Sequence, residues 1–89
     1  MFDDPWDALI EDPGERARMR ILSELMSALI AHIRAAGWTQ KEAAKVLGVT
    51  QPRISDLMRG KIDLFSVDAV VVMLLRVGYQ IDWNIRQAA

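Results

Sequence analysis

The stretch Thr39-Gln-Lys-Glu-Ala-Ala-Lys-Val-Leu-Gly-Val-Thr-Gln-Pro-Arg-Ile-Ser-Asp-Leu-Met-Arg-Gly60 decides the fold of this 89-residue chain. Thr39 and Glu42 have the spacing of a capping box, which predicts a short helix, and Gly48 is placed to end it. Thr50 can cap a second short helix, whose first turn tolerates a proline because first-turn amides lack partners inside the helix. Two short helices joined at Gly48 predict a helix-turn-helix unit.

The second short helix has an apolar side and a polar side. Val49, Ile54 and Leu57 are expected to pack on the core. The residues left to face outward are Thr50, Gln51, Arg53, Ser55, Asp56 and Arg59. In the major groove, glutamine pairs with adenine, arginine with guanine, and a carboxylate accepts from the amino group of cytosine. Asp56 has two open interpretations: it reads a cytosine, or it orients Arg53 or Arg59 as a helical neighbour.

Charge is unevenly distributed along the chain. The formal net charge is -1, which excludes a cationic surface over the whole molecule. Residues 1–15 carry six acidic side chains and no basic one, whereas residues 38–61 carry five basic side chains against two acidic ones. The basic segment coincides with the helix-turn-helix, so a polyanion is expected to bind there.

The flanking segments predict two further helices. Asp12, followed by proline and by glutamate three residues on, opens a long amphipathic helix that ends at Gly37. Ser66 caps another helix, which runs to Gly78. Trp38 stands just before the first short helix, where an apolar residue often packs on the following turn. The fold class is therefore all-α.

The carboxyl end predicts an association surface. In the last helix Val72, Met73 and Leu75 place apolar groups outside the main stripe, which is typical of a helix buried on two sides. Residues 79–85 alternate apolar and polar, the pattern of a β-strand, with a frayed tail or a helix continuation as the alternative. A lone strand needs a partner, so we expect pairing with a second copy across a two-fold axis. The predicted dimer residues are Val72, Met73, Leu75, Tyr79, Ile81, Trp83 and Ile85.

The helix-turn-helix residues resemble those of the Cro/cI-type (XRE) repressors. The matching positions are Thr39-Gln40, Ala44, Gly48-Val49-Thr50-Gln51, Ile54-Ser55 and Arg59-Gly60-Lys61. This resemblance implies a five-helix, lambda-repressor-like domain that binds a pseudo-palindromic operator as a homodimer. It implies base reading by Gln51, Arg53, Asp56 and Arg59, and phosphate contacts from Thr39, Gln40, Thr50, Ser55 and Lys61. Pro52 departs from the pattern, because at a position that often reads a base it offers only apolar contact.

A narrower resemblance extends over most of the chain. The leader Phe2-Asp-Asp-Pro-Trp-Asp-Ala-Leu9, the Gly48–Lys61 string, Phe65-Ser66 and Gly78-Tyr79 are similar to small HigA-like antitoxins. That resemblance implies an autoregulating antitoxin that also binds a small basic RelE/HigB-like ribonuclease toxin. Phe2, Trp6, Leu9 and Ile10 of the leader are the candidate toxin-binding residues; alternatively, Trp6 and Leu9 cover the first helix of their own chain.

Composition limits the other function classes. The chain has no cysteine and one histidine, and no nucleophile with an acid–base pair at a meaningful spacing, so we expect no enzyme, no metal site and no cofactor. The absence of a signal-peptide pattern favours the cytoplasm and no membrane partner. The predicted organisation is an acidic leader (1–15), a helix-turn-helix domain (16–78) and a dimerisation strand with tail (79–89). A stand-alone XRE-type repressor and a protein-interaction module without DNA binding remain alternatives.

Overall fold

A computed structural model describes residues 12–88 of the chain. Four α-helices form within this part: α1 (Pro13–Ala36), α2 (Gln40–Leu47), α3 (Gln51–Met58) and α4 (Val67–Arg76). A 3-10 turn, Ile62–Leu64, lies between α3 and α4. The described residues are therefore all-α, with four helices and one 3-10 turn where the resemblance implied five helices.

Each helix begins at the residue that the sequence predicted. The side chains of Asp12, Thr39, Thr50 and Ser66 all accept a hydrogen bond from a backbone amide in the first turn of their helix. These side chains satisfy amides that have no partner inside the helix, which stabilises each start by about 1 kcal/mol. Helix α1 begins at Pro13, so its first residues belong to the segment predicted as the acidic leader (1–15).

One apolar core joins the helices. Its centre is α1, which buries Leu22, Leu29 and Ile33 on one side at helical spacing. The other helices cover this side with a second group of buried residues: Ala43, Ala44, Leu47, Ile54, Leu57, Ile62, Phe65, Val70, Met73 and Leu74. Helix α1 packs mainly against α4, and α2 packs mainly against α3.

The turn between α2 and α3 depends on a left-handed glycine and on an arginine from α4. Gly48 has φ 70° and ψ 33°, a conformation that side chains with a Cβ rarely adopt. The Nη1 atom of Arg76 donates to the carbonyl oxygen of Leu47 at 2.5 Å, so Arg76 caps the end of α2. A Cβ on Gly48 would lie only 2.8 Å from the same Nη1 atom.

The predicted dimer face of α4 requires a correction at Met73. This side chain is 3% exposed and lies in the chain's own core, because it follows buried Val70 by three residues, on the same side of the helix. Val72 and Leu75 are exposed, at 44% and 52%. The outer apolar face of α4 therefore consists of Val72 and Leu75 without Met73.

The predicted strand also requires a correction, since no β-strand forms within residues 12–88. Residues 79–88 have no regular secondary structure, and the amides of residues 80–88 donate to no backbone carbonyl in the described part of the chain. A strand is defined by hydrogen bonds to a neighbouring strand, and the part of the chain that the structure describes contains no strand that could pair with this tail.

We expect Gly48→Ala to lower the free energy of unfolding by more than Gly37→Ala does. Both glycines have φ near 70°, but a Cβ on Gly37 meets no atom within 4 Å. Gly37→Ala should therefore cost about 1 kcal/mol, from backbone strain alone. Gly48→Ala should cost roughly 1–2 kcal/mol more, because the methyl group displaces Arg76 from its carbonyl. Urea denaturation monitored by circular dichroism measures both.

The Arg76→Ala background provides the control. Without the guanidinium, the two glycine substitutions should lower the free energy of unfolding by equal amounts. Equal effects in the wild-type background would show that the contact between Arg76 and Leu47 does not stabilise the turn.

Candidate nucleic-acid interface

Helix α3 is held against the core by two fully buried side chains. Ile54 and Leu57 are 0% exposed, and they follow one another at helical spacing. The Thr50 hydroxyl accepts from the amide of Arg53 at 3.4 Å and fixes the start of the helix. With this side of α3 buried, Pro52 and Arg59 lie on the opposite, exposed side.

Gln51 and Arg59 keep their polar ends available. Both residues are exposed, and neither side chain makes a hydrogen bond or an ion pair with another described residue. Gln51 lies at the amino end of α3, and Arg59 lies one residue beyond its carboxyl end. Two of the four predicted base-reading side chains are thus presented to solvent along α3.

Asp56 is paired with a cation that the sequence interpretation did not consider. Its Oδ1 atom lies 3.5 Å from Nζ of Lys61, and the Lys61 amide donates to the Asp56 carbonyl at 3.1 Å. The described contacts of Asp56 include neither Arg53 nor Arg59. Because the pair is partly exposed, it contributes about 0–1 kcal/mol and another anion can compete for the lysine.

Arg53 does not project from the exposed side of α3. Its Nη1 atom donates to the carbonyl oxygen of Leu64 at 2.6 Å, and its guanidinium carbon lies 4.0 Å from the centroid of the Phe65 ring. The side chain is half-buried, and Phe65 is 6% exposed. A cation held over an aromatic face contributes about 0.5–2 kcal/mol. These two contacts connect α3 to the carboxyl end of the 3-10 turn.

The predicted phosphate-binding residues lie at the amino ends of α2 and α3 and just after α3. Thr39, Gln40, Thr50 and Lys61 are exposed, and Ser55 is half-buried. The hydroxyls of Thr39 and Thr50 accept the capping hydrogen bonds, and each still has a proton to donate. Both hydroxyls can therefore cap a helix and donate to a phosphate oxygen at the same time.

The capping box at the start of α2 also fixes the charge of one carboxylate. Glu42 Oε1 accepts from the Thr39 amide at 2.9 Å, and the Glu42 amide donates to Thr39 Oγ1 at 3.1 Å. The hydrogen bond from the Thr39 backbone amide lowers the pKa of Glu42 below its ordinary value, and the hydrogen bond with the Thr39 side chain adds a smaller lowering. Glu42 is therefore held as an anion in the first turn of α2, and the basic contribution of α2 comes from Lys41 and Lys45, both exposed.

The residues predicted to form a dimer divide into anchored and exposed groups. Tyr79 Oη lies 3.2 Å from Nδ1 of His32, and Ile81 packs against the core. Trp83 and Ile85 are 64% and 91% exposed. The tail is thus fixed to α1 at Tyr79 and exposes its apolar side chains further on.

The tail returns along α1 toward the start of that helix. Tyr79 contacts α1 at His32, whereas Trp83 and Ile85 line a groove with Ile21, eleven residues earlier on α1. The groove has a volume of about 670 Å³, and Asn84, Arg86 and Ala88 also line it. The exposed tail therefore adjoins an exposed apolar residue of α1, since Ile21 is 46% exposed.

The remaining sequence predictions concern the leader, metals and membranes. Phe2, Trp6, Leu9 and Ile10 lie outside the described residues. From residue 12 to residue 88, no three His, Cys, Asp or Glu side chains are grouped so that they could hold a metal ion. Within the same residues, no helix has the length and apolar character needed to cross a membrane.

Sequence reasoning missed the residues that position others. The sequence marks Phe65 only as the residue before a helix start, and its ring contact to Arg53 joins positions twelve residues apart. Arg76 acts on Leu47 across 29 residues. Neither contact follows a helical or strand period, so no local pattern predicts it.

Comparison with known proteins supports the same architecture. A protein family described as "Helix-turn-helix domain" matches residues 9–86. A solved structure described as "Putative XRE Family Transcriptional Regulator" is 30% identical to this chain, with a TM-score of 0.78 and coverage of 83% of each chain. No curated protein sequence matches. Since the family match extends over most of the sequence, this chain belongs to the helix-turn-helix domain family.

Proposed function

We propose that this chain is a sequence-specific DNA-binding transcriptional regulator that represses by placing α3 in the major groove. One observation carries the proposal: α3 is seated on the core by Ile54 and Leu57, while Gln51 and Arg59 keep their polar ends exposed. This is the arrangement in which a recognition helix offers side chains to base edges. The structural relative described as an XRE-family regulator supports it.

The proposed contacts follow from the positions of the side chains. Gln51 and Arg59 read bases, with Asp56 beside them once Lys61 turns to a phosphate. The phosphate contacts come from the hydroxyls and amides near the helix starts and from the lysine after α3: Thr39, Gln40, Thr50, Ser55 and Lys61. Such contacts place the protein on the duplex, while base contacts supply discrimination. This assignment gives the chain no enzymatic step.

We expect Arg59→Ala and Gln40→Ala to affect binding differently. A duplex selected from a random-sequence library and a scrambled duplex serve as probes in fluorescence anisotropy. Arg59→Ala should lower the preference for the selected duplex by about tenfold, because one base contact is lost. Gln40→Ala should weaken binding to both duplexes by a similar factor, because a phosphate contact carries no sequence information.

Arg34→Ala is the matched control, since Arg34 is exposed on α1 outside the α2–α3 unit. It should bind both duplexes like the wild-type protein. A wild-type chain that yields no preferred duplex would overturn the proposal and favour a protein-interaction module without DNA binding.

We propose further that the regulator acts as a homodimer joined through its tail and the outer face of α4. The supporting observations are the exposed apolar side chains of Val72, Leu75, Trp83 and Ile85 and the unpaired amides of residues 80–88. A second copy can supply the missing strand across a two-fold axis. The operator is then a pseudo-palindrome with half-sites about 34 Å apart.

We expect Ile85→Lys and removal of residues 79–89 to give monomers in light scattering. The lysine places a charge in the proposed apolar contact, whereas the truncation removes the pairing segment. Val46→Lys is the control, because Val46 is equally apolar and 45% exposed but lies on α2. If both tail variants remain dimeric, the chain does not pair through its tail. If only Val46→Lys loses the dimer, the interface lies on α2.

We propose, more specifically, that this chain is an autoregulating antitoxin whose leader binds a small basic ribonuclease toxin. It is supported by the sequence of the leader, where Phe2, Trp6, Leu9 and Ile10 lie among acidic residues. A segment of this composition suits a cationic partner with apolar pockets. RNA-cleaving proteins need cationic surfaces because their substrate is a polyanion.

We expect the product of a neighbouring reading frame to co-purify with this chain and to cleave RNA when released from it. Adding the wild-type chain should stop the cleavage, and a Phe2→Ser, Trp6→Ser variant should not, because it removes the apolar contacts and keeps the charge. Arg34→Ala again serves as the control and should inhibit like the wild type. A neighbouring product without ribonuclease activity would favour the stand-alone repressor.

A further inference from the structure

The position of Arg53 on α3 points to a role different from that of Arg59. Successive residues of a helix are about 100° apart around its axis. Arg53 immediately precedes buried Ile54 and stands four residues before buried Leu57, so it lies on the flank of α3. Pro52 and Arg59 occupy the exposed side, farther from the core. A side chain on the flank is directed toward the edge of a groove rather than its floor.

The contacts of Arg53 hold it on that flank. The hydrogen bond to the Leu64 carbonyl and the stacking on Phe65 both hold the guanidinium at the carboxyl end of the 3-10 turn. A guanidinium has five N–H donors, and the described contacts of Arg53 use one of them on a protein oxygen. The ring covers one face, and the remaining donors lie along the edge, where a phosphate can accept them.

We propose that Arg53 binds a backbone phosphate rather than a base, and that Phe65 is the positioning residue that holds it ready to do so. The inference rests on the proposed DNA-binding function and changes the role that the sequence gave to Arg53. Stacking on Phe65 fixes rotamers of a long side chain before DNA arrives, so less conformational entropy is lost on binding. Leu64 contributes through its carbonyl oxygen, which fixes the orientation of the guanidinium plane.

The test measures affinity for the selected and the scrambled duplex over a range of salt concentrations. Arg53→Gln should weaken binding to both duplexes about tenfold and leave their ratio unchanged, because a charge-assisted contact to a phosphate is lost. The slope of log K against log salt should fall by about 1. Arg53→Lys should keep the wild-type slope and recover only part of the affinity, since it retains the charge without the planar donors.

Phe65 is tested by a double-mutant cycle. Phe65→Leu keeps an apolar side chain in the core but removes the ring face, so it should weaken binding to both duplexes by less than Arg53→Gln does. In the Arg53→Gln background it should have no further effect on affinity. Phe65→Met replaces Phe65→Leu where thermal melting shows that Phe65→Leu is unfolded at the assay temperature.

The outcomes separate this inference from the proposed function. If Arg53→Gln loses the preference for the selected duplex while its affinity for the scrambled duplex is unchanged, Arg53 reads a base and the inference is wrong. If the effects of Phe65→Leu and Arg53→Gln add fully, Phe65 does not act through Arg53. A wild-type chain that prefers no duplex contradicts the proposed function itself, whatever the variants do.

Discussion

The burial of Ile54 and Leu57 is the constraint on which the functional surface depends. These two side chains fix the rotation of α3 about its own axis, and that rotation decides which residues face solvent. With both fully buried, Arg59 faces outward and Arg53 falls on the flank. The turn that begins at left-handed Gly48 joins α2 to α3 through three residues, so the two helices pack as one unit. The chemistry available to DNA is therefore a consequence of core packing.

The helices themselves could be predicted from the sequence because their signals are local. Caps at Asp12, Thr39, Thr50 and Ser66 act within one turn, and the structure confirms all four. The side of α4 that faces the core was harder to predict. Eight of its ten residues are apolar, so several rotations of the helix about its axis would bury a similar apolar surface. The sequence pattern therefore predicts Met73 on the outer face, whereas packing against the neighbouring helices buries it.

The candidate site could be located from the sequence but not resolved into roles. The outward residues of α3 were identified by elimination, once Ile54 and Leu57 had been assigned to the core. The partners of these residues could not be predicted from the helix pattern. Lys61, which pairs with Asp56, comes after the end of α3, and Phe65, which stacks on Arg53, comes after the 3-10 turn. Both contacts depend on how the chain bends after Gly60. Arg53 and Asp56 are both half-buried, so the course of the chain after Gly60 decides which contacts these two side chains make.

The cluster of His32, Trp38 and Tyr79 connects the tail to the helix-turn-helix. The His32 ring meets the rings of Trp38 and Tyr79 edge-on, at centroid distances of 5.4 and 5.3 Å. Trp38 stands immediately before the cap of α2, and Tyr79 is the residue from which the tail extends. The beginning of the tail is therefore packed beside the beginning of the helix-turn-helix rather than attached to it by a flexible linker. A dimer formed through this tail would hold its two α3 helices at a spacing set by packed side chains, which restricts the half-site separations that one dimer can bind.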